Sequence, residues 1–176
     1  MYYRTRTYLA GDWDGDSNLI MKIKEWKDTG YLTLDYTDAH DLMQARDGSL
    51  NCTIKGSLLD RLNASKTFVL IVGDKTDSVT SGGCQYCQDY RSSYQGCSRG
   101  KSIDQRSYVK YECEKAAGYY WKDEMKVVVI YNYMTVRKDK CPEAVRNIGK
   151  HIAGITRDIN GNPKFDYQAI KNAIMN

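Results

Sequence analysis

The sequence predicts a doubly wound α/β fold, a three-layer sandwich around a five-stranded, mostly parallel sheet in the order 2-1-3-4-5. Three observations predict it. Strand-like and helix-like segments alternate along a chain of 176 residues, the pattern that builds parallel sheets covered by helices. Two short runs, Phe68-Val69-Leu70-Ile71-Val72 and Val127-Val128-Val129-Ile130-Tyr131, are apolar at every position, as strands buried on both faces must be. The segments between them carry apolar residues three and four apart, which is helical spacing. With five strands at this chain length, the flavodoxin-like order is the natural choice.

Each element has its own signal. Residues 4–10 are β-rich and run into the loop Gly11-Asp12-Trp13-Asp14-Gly15-Asp16. Asp16 or Ser17 then caps a helix whose apolar side is Leu19, Ile23 and Trp26, and Gly30 stops it. Residues 31–36 read as a second strand, followed by a polar connection over 37–49 that holds His40, Asp41 and the turn pair Asp47-Gly48. Ile54, Leu58 and Leu62 mark a second helix, and residues 68–72 a central strand ending at Gly73. A long insertion rich in Ser, Gly, Tyr and Cys occupies about 74–106; such a length is uncommon unless something holds the loop or it has a function. Residues 107–122 are helical, with Val109, Cys113, Ala116 and Tyr120 on one side, and 126–131 repeat the buried-strand signal. A helical turn or two over 143–150, a short fifth strand over 151–155, and a last helix capped by Asp166 complete a single domain spanning 1–176.

Composition bounds the function. The longest apolar runs hold about five residues, against the roughly 20 that cross a bilayer. The start, Met1-Tyr2-Tyr3-Arg4, lacks the features of a secretory signal, so a cytoplasmic location without membrane attachment is expected. A net charge of +4, with the basic residues scattered, is too weak a field to argue for nucleic acid. Fifteen Tyr against two Phe suit either a wet, ring-stacking cleft or half-buried boundary positions.

In a sheet of this kind ligands sit beyond the carboxyl ends of the strands, so the loops there supply the candidates. Asp12, Asp14 and Asp16 alternate after the first strand but fail the calcium-loop pattern, since Gly15 is misplaced and Ile23 stands where a Glu is needed. Magnesium, ribose hydroxyls bound by Asp12 and Asp14 with Trp13 stacking a ring, or a solvated capping loop all remain open. Glu112 lies four residues after Tyr108, beside the apolar stripe of the 107–122 helix, whereas Glu114 faces outward. It reads either as a carboxylate facing a ligand or as a surface partner of Lys115. Cys84, Cys87 and Cys97 offer three soft ligands in one loop; a structural zinc needs one more, and no fourth is evident. The alternative is reduced thiols, as a chain without an export signal favours over disulfides. His40 and His151 stand alone, and no P-loop, G-x-G-x-x-G, serine elbow or H-E-x-x-H occurs.

Three segments in order, Tyr8-Leu9-Ala10-Gly11-Asp12-Trp13-Asp14-Gly15-Asp16, Ser65-Lys66-Thr67-Phe68-Val69-Leu70-Ile71-Val72-Gly73 and Tyr108-Val109-Lys110-Tyr111-Glu112, resemble the bacterial TIR-like domains of the Thoeris antiphage type. The resemblance covers about residues 1–155, with the cysteine-bearing loop as an elaboration. It implies a flavodoxin-like enzyme that cleaves NAD at the nicotinamide–ribose bond and makes a cyclic ADP-ribose-type signal for a separate effector. It assigns the catalytic glutamate to Glu112 and the nucleotide-lining loop to Gly11, Asp12, Trp13 and Asp14, with Tyr108 beside them. NAD is then substrate, no cofactor is required, and self-association into a homo-oligomer is compatible. One departure is Ala10-Gly11, where family members often carry an aromatic or Ser-rich strand end.

Two other readings use the same residues. Asp12 and Asp14 after the first strand and Asp74 after the third imitate a receiver-like magnesium pocket with a phosphoacceptor, although only Ile155-Thr156-Arg157 stands where a lysine is expected. A TIR-like scaffold that docks a partner without catalysis is the other, since fold alone does not dictate function.

Overall fold

Strand β3 (Ser65–Val72) shows why the sheet forms. Phe68, Leu70 and Val72 enter one core, Val69 and Ile71 the other, and all are fully buried. Strand β6 (Lys126–Tyr131) repeats this, sending Val127, Val129 and Tyr131 one way and Val128 and Ile130 the other. A strand apolar at every position needs a cover on both faces. The computed structural model describes residues 6–30, the backbone of 36–38, and 50–176. Within it β1 (Arg6–Ala10), β3, β6 and β7 (Lys150–Ala153) lie side by side in that order, all parallel. The backbone of β2 (Tyr36–Asp38) continues the sheet beyond β1, Tyr36 opposite Thr7.

Helices cover both faces, as the sequence predicts. Helix α1 (Ser17–Asp28) and helix α4 (Tyr167–Met175) lay Leu19, Ile20, Ile23, Ile170 and Ile174 on the core that holds Val69. Trp26 meets Tyr167 edge to face, centroids 5.0 Å apart. On the opposite face helix α2 (Asn51–Asn63) contributes Ile54, Leu58 and Leu62, and helix α3 (Tyr108–Tyr120) Val109, Cys113 and Ala116. The predicted stripes are the buried ones, except that Tyr120 is only partly buried. Gly30 ends α1 at φ +77°, a conformation glycine adopts without steric cost. Among the described residues no helix is long and apolar enough to cross a membrane.

The differences are local. The second strand is recorded at Tyr36–Asp38, while 31–35, and with them most of the predicted strand, lie outside the described residues; so do His40, Asp41, Asp47 and Gly48. The insertion has structure of its own, a 3₁₀ turn at Cys84–Tyr86 and a hairpin of β4 (Tyr90–Arg91) and β5 (Gly96–Cys97). In place of a helix over 143–150 there is one 3₁₀ turn, Glu143–Val145, after Pro142. The edge strand β7 begins and ends earlier than predicted. Gly154 donates its N–H to the Tyr131 carbonyl at 2.7 Å, and a Cβ there would stand 2.8 Å from that oxygen. The chain turns at this point, and Ile155 opens an unpredicted hairpin, β8 (Ile155–Arg157) against β9 (Pro163–Phe165).

Candidate functional site

Ser107 sets the phase of α3. Its hydroxyl accepts the Lys110 N–H at 3.2 Å, capping the helix so that Val109 and Cys113 point into the core. Glu112, next to that stripe, is carried inside with them and is 3% exposed. Its Oε1 accepts a hydrogen bond from the hydroxyl of Tyr8 on β1. Tyr8 is itself fully buried and stacks on Phe68 at 5.8 Å. Taking a carboxylate out of water is costly unless polar groups meet it, and the Tyr8 hydroxyl is one that does. Glu114, two residues on, is half exposed and pairs with Arg106. Glu112 is therefore no surface partner of Lys115.

Tyr108 is built in rather than displayed. Burial pushes its phenol up to about 12, and its hydroxyl donates to Asn51 Oδ1 at 3.1 Å. A Cβ at Gly82 would fall 2.5 Å from the Tyr108 ring, so the insertion lies flat against it.

The loop after β1 faces the other way. Gly11 is needed for packing, since a Cβ there would press to 3.2 Å from Ile71 Cβ and 3.3 Å from Ile20 Cδ1. Asp12 is buried and turns the loop, accepting the Asp14 N–H at 3.3 Å, while Asp14 is exposed. Trp13 packs on the α1 side, with Lys24 Nζ 4.5 Å over its ring. Trp13 and Glu112 thus belong to opposite faces of the sheet. A groove of about 420 Å³ between α1 and the β8–β9 hairpin, lined by Asn18, Lys22, Trp26 and Phe165, also lies on the Trp13 face.

Asp16 is the residue whose role sequence reasoning missed. It occupies the N-cap of α1 yet makes no capping bond. Its carboxylate, 1% exposed, accepts from Asn132 Nδ2 at 3.0 Å and from the Thr76 hydroxyl at 3.3 Å. Thr76 in turn accepts the Gly73 N–H at 2.8 Å, and a Cβ on Gly73 would collide with Asp16 Oδ1. The carboxyl ends of β1, β3 and β6 are thereby tied around one buried carboxyl. Burial raises its pKa above the usual carboxylate range, the Asn132 and Thr76 bonds oppose that, and the charges of Asp12 and Asp74 raise it further. Asp74 is exposed and held below the ordinary range by the Tyr133 hydroxyl at 2.5 Å, with Lys140 3.7 Å away.

All six cysteines are free. Among the described residues no group of three or more His, Cys, Asp or Glu side chains is placed so that it could hold a metal ion. Cys84, Cys87 and Cys97 do line one small cavity, and Cys52 of α2 lines it with them.

No protein-family model matches the chain, and no curated protein matches it.

Proposed function

We propose that the chain is a TIR-like antiphage signalling protein, flavodoxin-like with β2 outermost in the order 2-1-3-4-5, that cleaves NAD at the nicotinamide–ribose bond in the cytoplasm. Its product is a cyclic ADP-ribose-type signal read by a separate effector. The observation that carries this reading is the buried Glu112 carboxylate, held by the Tyr8 hydroxyl in the second turn of the helix that follows the insertion. Buried carboxyls with a specific polar partner cluster at functional sites.

Departure of nicotinamide leaves an oxocarbenium-like ribose. A carboxylate in low-dielectric surroundings stabilises that positive charge far better than one in water. The Tyr8 hydroxyl fixes where the carboxylate points and gives way to a ribose hydroxyl when substrate arrives. With Glu112 only 3% exposed, side chains covering it must move first, which suits an enzyme silent until triggered. A nucleophile on the same nucleotide, folded back toward the sugar, then closes the ring in place of water.

The test is nicotinamide release from NAD by the purified chain, alone and with extract of phage-infected cells. Glu112→Gln, which keeps an acceptor for Tyr8, is expected to lose on the order of 10²-fold or more in turnover with its melting temperature retained. Equal turnover in the variant removes Glu112 from the chemistry. Partner binding with no nicotinamide under any condition favours the non-catalytic scaffold. A magnesium-dependent phosphoryl adduct on Asp74 favours the receiver-like reading.

A further inference from the structure

We propose that Cys52, Cys84, Cys87 and Cys97 bind one zinc ion that fastens the 74–106 insertion to the start of helix α2. This stands apart from Glu112 and from NAD.

The insertion has no core of its own. Every residue from 85 to 105 is at least partly exposed, and the two strands of its hairpin are two residues each. Segments too small to bury apolar surface are held by disulfides or metals, and no disulfide is present. The first turns of α2 already grip the insertion at two places. Asn51 Nδ2 donates to the Gly83 carbonyl at 2.9 Å, and Lys55 Nζ donates to the carbonyls of Asp104 at 2.9 Å and Arg106 at 2.6 Å. Cys52 lies between Asn51 and Lys55, on the side that faces the insertion. It lines a largely enclosed cavity of about 10 Å³ together with Cys84, Cys87 and Cys97. That is room for about one small sphere.

The donor set is the one zinc takes in structural sites, four thiolates arranged tetrahedrally. The Cys84–Tyr86 turn, closed by the Cys87 N–H on the Cys84 carbonyl at 3.0 Å, brings both residues to the wall of the same cavity. The β4–β5 hairpin returns Cys97 to them. Four thiolates around a divalent ion carry excess negative charge, and donors stand ready for it. The Asp104 N–H points at Cys84 Sγ from 3.3 Å, and Lys101 lines the same cavity. The four sulfurs are not yet gathered into a coordination sphere. Binding demands that the four side chains close in on their shared cavity, and each thiol gives up its proton as its S–Zn bond forms.

The experiment measures zinc and iron in the chain purified without chelator. About one zinc per chain is expected, released by a thiol-blocking mercurial. Cys52→Ser and Cys87→Ser should lose it, while Cys141→Ala, remote from the cavity, should keep it. Cobalt titration of the unmutated chain adds a readout independent of variant folding. Tetrahedral thiolate bands should appear at one equivalent, and chelation should open the insertion to protease. A chain without zinc, whose thiols react with a disulfide reagent at the same rate with or without added zinc, overturns the proposal. Iron in place of zinc overturns the choice of metal, and unchanged cobalt bands in Cys52→Ser overturn the fourth ligand.

Discussion

Asp16 puts a price on the crevice end of the sheet. It gives up the capping bond its position invites and sits desolvated between Asn132 and Thr76. Its pKa in the folded chain lies above the ordinary 3.8, so its favourable contribution is fully present below that value and is lost as pH rises through the folded pKa. At neutral pH the charge therefore weakens the fold. Asp16→Asn keeps a side chain of the same shape that can bond both neighbours, and it is expected to raise Tm at pH 7, the gain shrinking to nothing near pH 3. Thermal melts of both forms across that range check this. A lower Tm at pH 7 would show that the carboxylate makes bonds an amide cannot replace. Glu112 was legible because its burial follows from one helix, its place beside Val109 and Cys113 being a matter of spacing. The Asp16 cluster was not, because Thr76 and Asn132 stand 60 and 116 residues away and meet it only where three strand ends converge.

At the scale of elements, α2 has two jobs. Its apolar stripe, Ile54, Leu58 and Leu62, covers the sheet, while its first turns secure the insertion. Lys55 is central to the second. It is 3% exposed, donates to two carbonyls, and pairs with Asp104 Oδ1 at 3.2 Å. Asp104 is also bonded by Arg106, the larger cause of a carboxyl held well below its usual range. Lys55→Ala should thus cost on the order of 2 kcal/mol rather than the full value of breaking an isolated buried pair. Urea unfolding measures the loss, and protease should cut first within 85–105. Unchanged cleavage there would mean that Lys55 does not secure the insertion. The stripes of α1, α2 and α3 could be read in the sequence because a buried helix face is a periodic signal. The β8–β9 hairpin could not, since its strands are three residues each and Ile155-Thr156-Arg157 has too little pattern to declare a turn away from the sheet. Cys52 was illegible as a neighbour of Cys84 for a related reason: it belongs to a helix, and only the docking of the insertion brings the two together.

Among the described residues two cores lie on opposite faces of the five-stranded sheet, and β7 closes that sheet with few apolar side chains. His151 on β7 helps to fasten it to β6. The Ile148 carbonyl, which only accepts, lies 2.9 Å from its Nε2, so the proton resides there and Nδ1 accepts from the Tyr131 hydroxyl at 2.8 Å. Tyr131 is fully buried, and a neutral ring is what this arrangement holds. Burial is the largest cause of the His151 pKa lying below the ordinary 6.5, with the Ile148 bond opposing it and Lys138 lowering it further. A depressed folded pKa gives stability that is present above 6.5 and lost as pH falls toward the folded value. The carboxyls held low, Asp74, Asp104, Asp139 and Asp158, begin to lose their contributions only near and below 3.8, and Asp16 acts in the opposite sense. Acid unfolding should therefore occur in two stages. The first, as pH falls below about 6.5, belongs to His151 and should flatten in His151→Gln, whose amide can still donate to Ile148 and accept from Tyr131. The second, below about pH 4, belongs to the carboxyls and should be the same in both proteins, sharpened by the repulsion of a chain that already carries +4. Tm measured in steps from pH 8 to 3 separates the stages, and a wild-type curve level from pH 6.5 down to the onset of the carboxyl stage would show that the His151 ring charges without loosening β7.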